Sequence, residues 1–112
     1  SWYYPAPKVE FSAFENWAAV AKQYGKHYKV SEQDKAALKK ASGEILKGSK
    51  NRSDSLTALV RFVQDDVRYL GFEDGLNSFK PSNPKKVLER RFGDCKDKAL
   101  LLSTLLQKYN FK

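Results

Sequence analysis

The chain is poor in the residues that bind metals and form cross-links: it has one cysteine, Cys95, and one histidine, His27, in 112 residues. A single cysteine cannot form a disulfide within the chain, so cysteine pairing gives no indication of the redox compartment. Cys95 and His27 are far apart in sequence and lack neighbouring ligands, a spacing that argues against a structural zinc site. We expect neither a metal nor a cofactor.

Long hydrophobic runs are also absent. No apolar stretch approaches the length needed to cross a bilayer, which predicts no membrane span. The first residues, "SWYYPAPKVEF", lack the charged and apolar regions of a signal peptide. The abrupt start and the end at "YNFK" lead us to expect a segment of a longer protein, from which an export signal would also be missing.

Charge of one sign dominates, with 21 Lys and Arg against 13 Asp and Glu, a net charge of +8 and a pI near 9.6. Such a balance raises nucleic acids, acidic glycans and anionic surfaces as partners. Sixteen of the basic residues are lysines spread along the chain, and there is no zinc-finger spacing, ribonucleoprotein motif or compact arginine cluster. We therefore predict a solvated basic surface and no specific nucleic-acid binding.

Hydrophobic periodicity predicts a first amphipathic helix after an extended start at the two early prolines. Ser12 is its expected N-cap and Gly25 its C-terminal stop. Three aromatic residues on one face of this helix, Phe14, Trp17 and Tyr24, are expected to pack in the core. The segment "SWYYP" is expected to expose its aromatic side chains.

Two further helices follow from capping signals. Ser31 and Asp34 form a capping-box pattern before a helix that ends near Gly48. Asn51 or Ser53 caps a third helix, whose apolar stripe is made by Leu56, Leu59, Val60, Val63 and Val67. The next residues, "VRYLGF", are rich in strand-forming types and predict a short strand.

The second half leads to the cysteine. "GFEDGLNSFKPSNP" predicts a hairpin-like or irregular loop, in which Tyr69, Phe72 and Phe79 either line a groove or pack. A short helix begins at Pro84 and is expected to end at Gly93. Asp94 then caps a helix that begins with Cys95 and whose leucines, in "ALLLSTLL", face almost every direction. The sequence thus predicts about five helices and one short strand or hairpin-like segment.

The residues of this half carry a resemblance. "VRYLGFEDGLNSFKPSNPKKVLERRFGDCKDKALLLSTLLQKYNF" resembles the transglutaminase-like superfamily of papain-like cysteine enzymes, in particular a bacterial branch in which this core follows a domain of unknown function. Upstream, "FSAFENWAAVAKQY" is similar to the linker helix of that branch, with Trp17 at its tryptophan position. The resemblance implies an α+β core, with residues 1–52 as an extended segment and two linker helices. Residues 53–112 would be the N-terminal part of the core, cut before its His and Asp strands.

The resemblance also implies a function. In "GDCKDKA" it places the nucleophile at Cys95, acting on protein or peptide amides as a transglutaminase-like acyltransferase or a cysteine peptidase (a hydrolase). It implies an exported protein, periplasmic or at the bacterial cell surface. The histidine and aspartate of the catalytic triad are expected after Lys112, so the chain alone should be nearly inactive.

The position of Cys95 suits that role on physical grounds, because a helix N-terminus stabilises a thiolate and offers backbone N–H groups to an oxyanion. Lys96 and Lys98 add positive charge nearby, while Asp94 and Asp97 oppose it. Without its motif Cys95 would be interpreted as a small buried hydrophobe. His27 is expected to be exposed and not catalytic.

Two alternatives accompany this interpretation. The chain could instead be a non-catalytic basic helical module that binds an anionic partner, with Cys95 inert. If strands that cover the helix at Leu100–Leu106 are missing, an apolar patch should remain, and a homodimer would bury it.

Overall fold

The structure of the protein, a computed structural model, describes residues 6–71 and 74–111. Within these ranges the chain is mostly helical. In chain order its main elements are α1 (Trp17–Gly25), α2 (Glu32–Ile45), α3 (Arg52–Arg61), β1 (Arg68–Tyr69), α4 (Pro84–Arg90), β2 (Phe92–Gly93) and α5 (Cys95–Lys108). Short 3-10 turns occur at Lys26–Tyr28 and Gly75–Ser78, and a π-helical turn at Phe62–Asp66 extends α3. The prediction of a mostly helical chain with a short strand before the cysteine helix is confirmed; the α+β family core stays a prediction.

The first helix is shorter than predicted. Its N-cap is Asn16, whose side chain accepts a hydrogen bond from the Ala19 amide at 2.9 Å. Ser12 was expected as the cap, but its hydroxyl accepts the Phe14 amide at 3.1 Å in the preceding turn. Asn and Ser cap helices equally well, so the hydrophobic pattern around them could not decide between the two.

The expectation that the aromatic face of α1 lies in the core is wrong. The helix has no buried residue, and Trp17 is 85% exposed. Phe14 and Tyr24 contact each other with ring centres 6.0 Å apart, and Tyr24 packs edge-on against Phe79 at 5.0 Å. These aromatic residues do share one face of the helical segment, but no other element of the described chain buries that face. "SWYYP" and Phe72 lie outside the described residues.

The capping signals of α2 and α3 are confirmed. Ser31 and Asp34 form a reciprocal capping box at the start of α2, and the chain leaves this helix through a turn in which Gly48 has φ +96°. For α3 the cap is Asn51, one of the two residues considered, and it accepts the Asp54 amide at 2.9 Å. Local sequence determined both helix starts.

One hydrophobic core joins α2 to the second half of the chain. It contains the buried residues Leu38, Leu59, Phe62, Val63, Val67, Val87, Leu88, Leu101 and Leu105. Leu56, at the edge of the predicted α3 stripe, is 39% exposed instead. The core therefore lies directly behind α5 and holds the cysteine helix against α3 and α4.

The leucines of α5 are covered by these helices. Leu100, Leu101 and Leu105 are buried, and Leu102 and Leu106 are half-buried. None of them is exposed, so the apolar patch that motivated a homodimer is not present on this helix. The homodimer itself stays a prediction.

The two strands pair in parallel, with Arg68 opposite Phe92 and Tyr69 opposite Gly93. The segment between them is therefore a crossover containing α4 and not a simple hairpin. The prediction that Gly93 ends α4 is wrong: the helix ends at Arg90, and its C-cap Arg91 adopts the left-handed conformation with φ 59°. The Arg91 carbonyl accepts the Arg68 amide at 2.9 Å, and Gly93 belongs to β2.

Candidate active site at the start of the cysteine helix

Cys95 is the first residue of α5, and its side chain is exposed. The interpretation of this residue as a small buried hydrophobe is therefore wrong. Its backbone amide lies in the first helical turn, where N–H groups lack an intrahelical acceptor. Within residues 6–71 and 74–111 no side chain or loop carbonyl accepts this amide, so it is available beside the exposed thiol.

Asp94 caps the N-terminus of α5, as predicted, and the cap is a reciprocal box with Asp97, which was not predicted. The Asp94 carboxylate accepts the Asp97 amide at 3.1 Å, and the Asp97 carboxylate accepts the Asp94 amide at 3.2 Å. Both side chains are almost fully buried. Cys95 sits between these two residues, so its backbone has little freedom to move.

Asp97 also ties this turn to the rest of the core. One oxygen accepts the Ser82 amide at 2.6 Å, and the other accepts the guanidinium of Arg90 at 2.7 Å. The Arg90 side chain is held further by a bond from its Nε to the Phe92 carbonyl at 2.7 Å. The cysteine turn is therefore clamped between α4 and the loop that precedes it.

Lys96 forms an ion pair with Asp94, and both side chains are nearly buried. Burial of the Lys96 amine opposes its charge, but the hydrogen bond and the negative charge of Asp94 outweigh this and raise the pKa of Lys96 above its ordinary 10.5. Lys96 is therefore positively charged at neutral pH, on the residue next to the thiol. This charge is held in place by its ion pair with Asp94.

Lys98, the second lysine of the motif, binds backbone carbonyls of another segment. The Lys98 amine donates to the Val67 carbonyl at 2.6 Å and to the Gln64 carbonyl at 3.3 Å. These carbonyls lie at the end of the π-helical turn, where backbone acceptors lack helical partners. Lys98 thus anchors α5 to the end of the α3 segment.

A polar cavity of about 310 Å³ adjoins this turn and is lined in part by Asp94, Asp97 and Arg90. A larger cavity of about 650 Å³ lies between α2 and α4, lined by residues such as Ala41 and Leu88 and by none of the residues that surround Cys95. The polar cavity is thus lined by both aspartates of the α5 cap, the residues on either side of Cys95 and Lys96 in the chain.

No general base accompanies Cys95 in the described ranges. None of those residues hydrogen-bonds to its thiol. The imidazole of His27 instead packs against the ring of Phe79, with ring centres 5.7 Å apart. His27 was predicted to be exposed but is half-buried. Of the aromatic residues expected near the site, Tyr69 is 60% exposed and Phe79 is half-buried against α1.

The described residues offer neither a cluster of metal ligands nor a helix suited to a membrane. Over residues 6–71 and 74–111, no three His, Cys, Asp or Glu side chains gather in a way that could hold a metal ion. Within the same part of the chain, no helix combines the length and the apolar character that crossing a bilayer requires.

Three residues that contribute to the site were not predicted to do so: Arg90, Ser82 and Gly93. Arg90 and Ser82 reach Asp97 through tertiary packing, for which no local spacing gives a signal. Gly93 allows the close approach of Asp97, because a Cβ at position 93 would lie 2.7 Å from the Asp97 Cβ. The glycine before the cap was the only available hint.

Comparisons of the chain with protein-family models, with curated proteins and with solved structures found no match.

Proposed function

We propose that the chain is the N-terminal part of a transglutaminase-like cysteine acyltransferase or peptidase, with Cys95 as the nucleophile toward protein or peptide amides. The observation that carries this proposal is the exposed thiol on the first residue of α5, between two capping aspartates that hold the helix N-terminus rigid. Such a placement suits a reactive cysteine, since helix N-termini next to a positive charge favour the thiolate.

The chemistry that this arrangement can support is acyl transfer. The Cys95 thiolate attacks the amide carbonyl, the C–N bond breaks, and a thioester forms while the amine leaves with a proton. The Cys95 amide is a donor for the oxyanion of the tetrahedral intermediate. Water or a second amine then attacks the thioester, and the thiolate is regenerated.

The general base belongs to the remainder of the proposed enzyme. The family resemblance implies a His and then an Asp after the cysteine helix, and these would complete a triad with Cys95. On this proposal the 112-residue chain has a preformed nucleophile turn and negligible turnover. The same resemblance suggests a periplasmic or cell-surface protein.

The test is the alkylation rate of Cys95 with iodoacetamide between pH 6 and pH 8, in this chain and in the protein extended beyond Lys112. We expect faster reaction than N-acetylcysteine amide, a free thiol, and a return to the free-thiol rate in urea. The Cys95→Ser variant controls for labelling elsewhere. Reaction equal to or slower than that of the free thiol in both proteins would contradict the proposal.

The basic binding module remains the second candidate because lysines of α2 and its C-terminal turn are free. Lys39, Lys40 and Lys47 are exposed, and within the described ranges no carboxylate pairs with them. This candidate predicts salt-sensitive retention of the chain on an anionic polymer such as heparin. Absence of retention at low salt would eliminate it.

A further inference from the structure

The polar cavity beside the cysteine turn has an excess of positive charge. Its lining includes Lys80, Lys86 and Arg90 together with two carboxylates, Asp94 and Asp97. The charge that a ligand meets depends on which of these groups are already paired within the protein.

Both carboxylates are fully engaged. Asp94 is paired with Lys96 and accepts a backbone amide of its capping box. Asp97 accepts the Arg90 guanidinium and the amides of Ser82 and Asp94. Their negative charge is therefore neutralised before any ligand enters the cavity.

The two lysines are not engaged. Among the described residues, no carboxylate lies within ion-pair distance of Lys80 or Lys86. Both side chains are exposed, so they can turn toward a ligand without losing an internal contact. The cavity thus keeps two free positive charges.

Arg90 adds a rigid donor. Its Nε donates to the Phe92 carbonyl at 2.7 Å, and its Nη2 donates to Ser82 at 3.2 Å and to Asp97 at 2.7 Å. In the described part of the chain no acceptor lies on Nη1. A planar guanidinium held on two sides, with one nitrogen available, is well suited to bind a carboxylate oxygen.

We infer that this cavity binds the carboxylate of an acidic residue in a polypeptide substrate, close to the bond that Cys95 attacks. Asp94 and Asp97, which line the cavity, flank Cys95 in the first turn of α5, so a side chain bound there lies at the same helix start as the thiol. The choice of a polypeptide rests on the proposed function. The preference for a negative charge rests on the cavity alone.

The test measures peptide binding to the Cys95→Ser chain by NMR, through the amide shifts of Asn77 and Ser82. The probes are an acetylated and amidated tetrapeptide with one glutamate, the same peptide with glutamine, and inorganic phosphate. We expect the glutamate peptide to shift both amides and to bind at least about tenfold more tightly than the glutamine peptide. Raising the salt concentration should weaken its binding.

Two double variants distinguish the effect of the cavity lysines from the effect of the net charge of the chain. Lys80→Ala with Lys86→Ala should weaken binding of the glutamate peptide about tenfold. Lys22→Ala with Lys29→Ala removes the same charge from exposed sites outside the cavity and should change the Kd less than twofold. An equal loss in both pairs would overturn the inference.

Two other results would also overturn it: equal affinity for the glutamate and glutamine peptides, or tighter binding of phosphate than of the glutamate peptide at these amides. The latter would identify a site for a free anion. Because binding does not require the thiol, selective peptide binding with an unreactive Cys95 would keep this inference and reject the proposed enzyme. A reactive Cys95 without selective peptide binding would support the proposed enzyme and reject this inference.

Discussion

The Arg90 guanidinium donates to the Asp97 carboxylate at 2.7 Å, joining the end of α4 to the first turn of the helix that carries Cys95. The Asp97 side chain is only 6% exposed and that of Arg90 21%. Asp97 also accepts two backbone amides, so one carboxylate connects the loop, α4 and the cap of α5. The geometry of the first turn of α5, which carries Cys95, therefore depends on this carboxylate.

Replacing Asp97 with Asn should lower the free energy of unfolding by about 2–4 kcal/mol, because the half-buried Arg90 loses its counter-charge and one carboxylate oxygen becomes an amide donor facing other donors. The measurement is urea denaturation followed by circular dichroism. Asp54→Asn is the matched control: Asp54 occupies the same N3 position in α3 but is exposed. Equal losses in the two variants would show that the Arg90 contact adds nothing.

Gly93→Ala should be destabilising, by about 1–3 kcal/mol, because the new Cβ would lie 2.7 Å from the Asp97 Cβ and neither group can move freely. Gly43→Ala is the control, since nothing lies within 4 Å of a Cβ at that exposed position of α2. It should stabilise the protein by up to about 1 kcal/mol through helix propensity. Thermal unfolding of both variants measures the contrast; a neutral Gly93→Ala would refute the steric argument.

These residues show which parts of the fold could be predicted from sequence. The caps at Ser31, Asn51 and Asp94 were predictable because capping uses residues within one turn of each other. The end of α4 was missed because a left-handed Arg91, a conformation usually taken by glycine, is stabilised by the parallel pairing of the two strands.

Tertiary packing explains the other differences. Periodicity correctly gave α1 an aromatic face, but it does not reveal whether another element covers that face, and Trp17 is exposed. At the site, the motif predicted Cys95 and its cap, whereas the Arg90 contact depends on how α4 packs against α5.

The Asp34 carboxylate connects the N-termini of α2 and α4, and its protonation in acid should lower the stability of the protein. Asp34 belongs to the capping box of α2, and its other oxygen accepts the Lys85 amide in the first turn of α4 at 3.0 Å. Burial of the carboxyl opposes ionisation, but hydrogen bonds from Ser31 and from the Lys85 amide outweigh it and lower the pKa of Asp34 below its ordinary 3.8.

A lowered pKa in the folded state means that ionised Asp34 stabilises the fold. This contribution is fully present above about pH 3.8 and is lost as the pH falls through the lower folded-state pKa. Asp34→Asn should therefore be less stable than the wild type at pH 6, with the difference shrinking below pH 3.8. Urea denaturation at several pH values measures this, and Asp65→Asn, at an exposed position, controls for the lost charge. A difference that is constant with pH would contradict the assignment.

The reactivity of Cys95 should depend on Lys96. The Lys96 amine is charged, nearly buried and paired with Asp94 beside the thiol. Lys96→Met removes that positive charge and leaves the Asp94 carboxylate without its partner, and both changes disfavour a thiolate at Cys95. We expect alkylation by iodoacetamide at pH 7 to slow several-fold.

Lys47→Met, an equal loss of charge at an exposed site, should leave the rate unchanged. Since Lys96→Met could also loosen the cap, the amide shifts of Asp94 and Asp97 are compared by NMR. Slower alkylation with unchanged shifts would establish the electrostatic role, whereas an unchanged rate would show that the helix N-terminus alone sets the reactivity of the thiol.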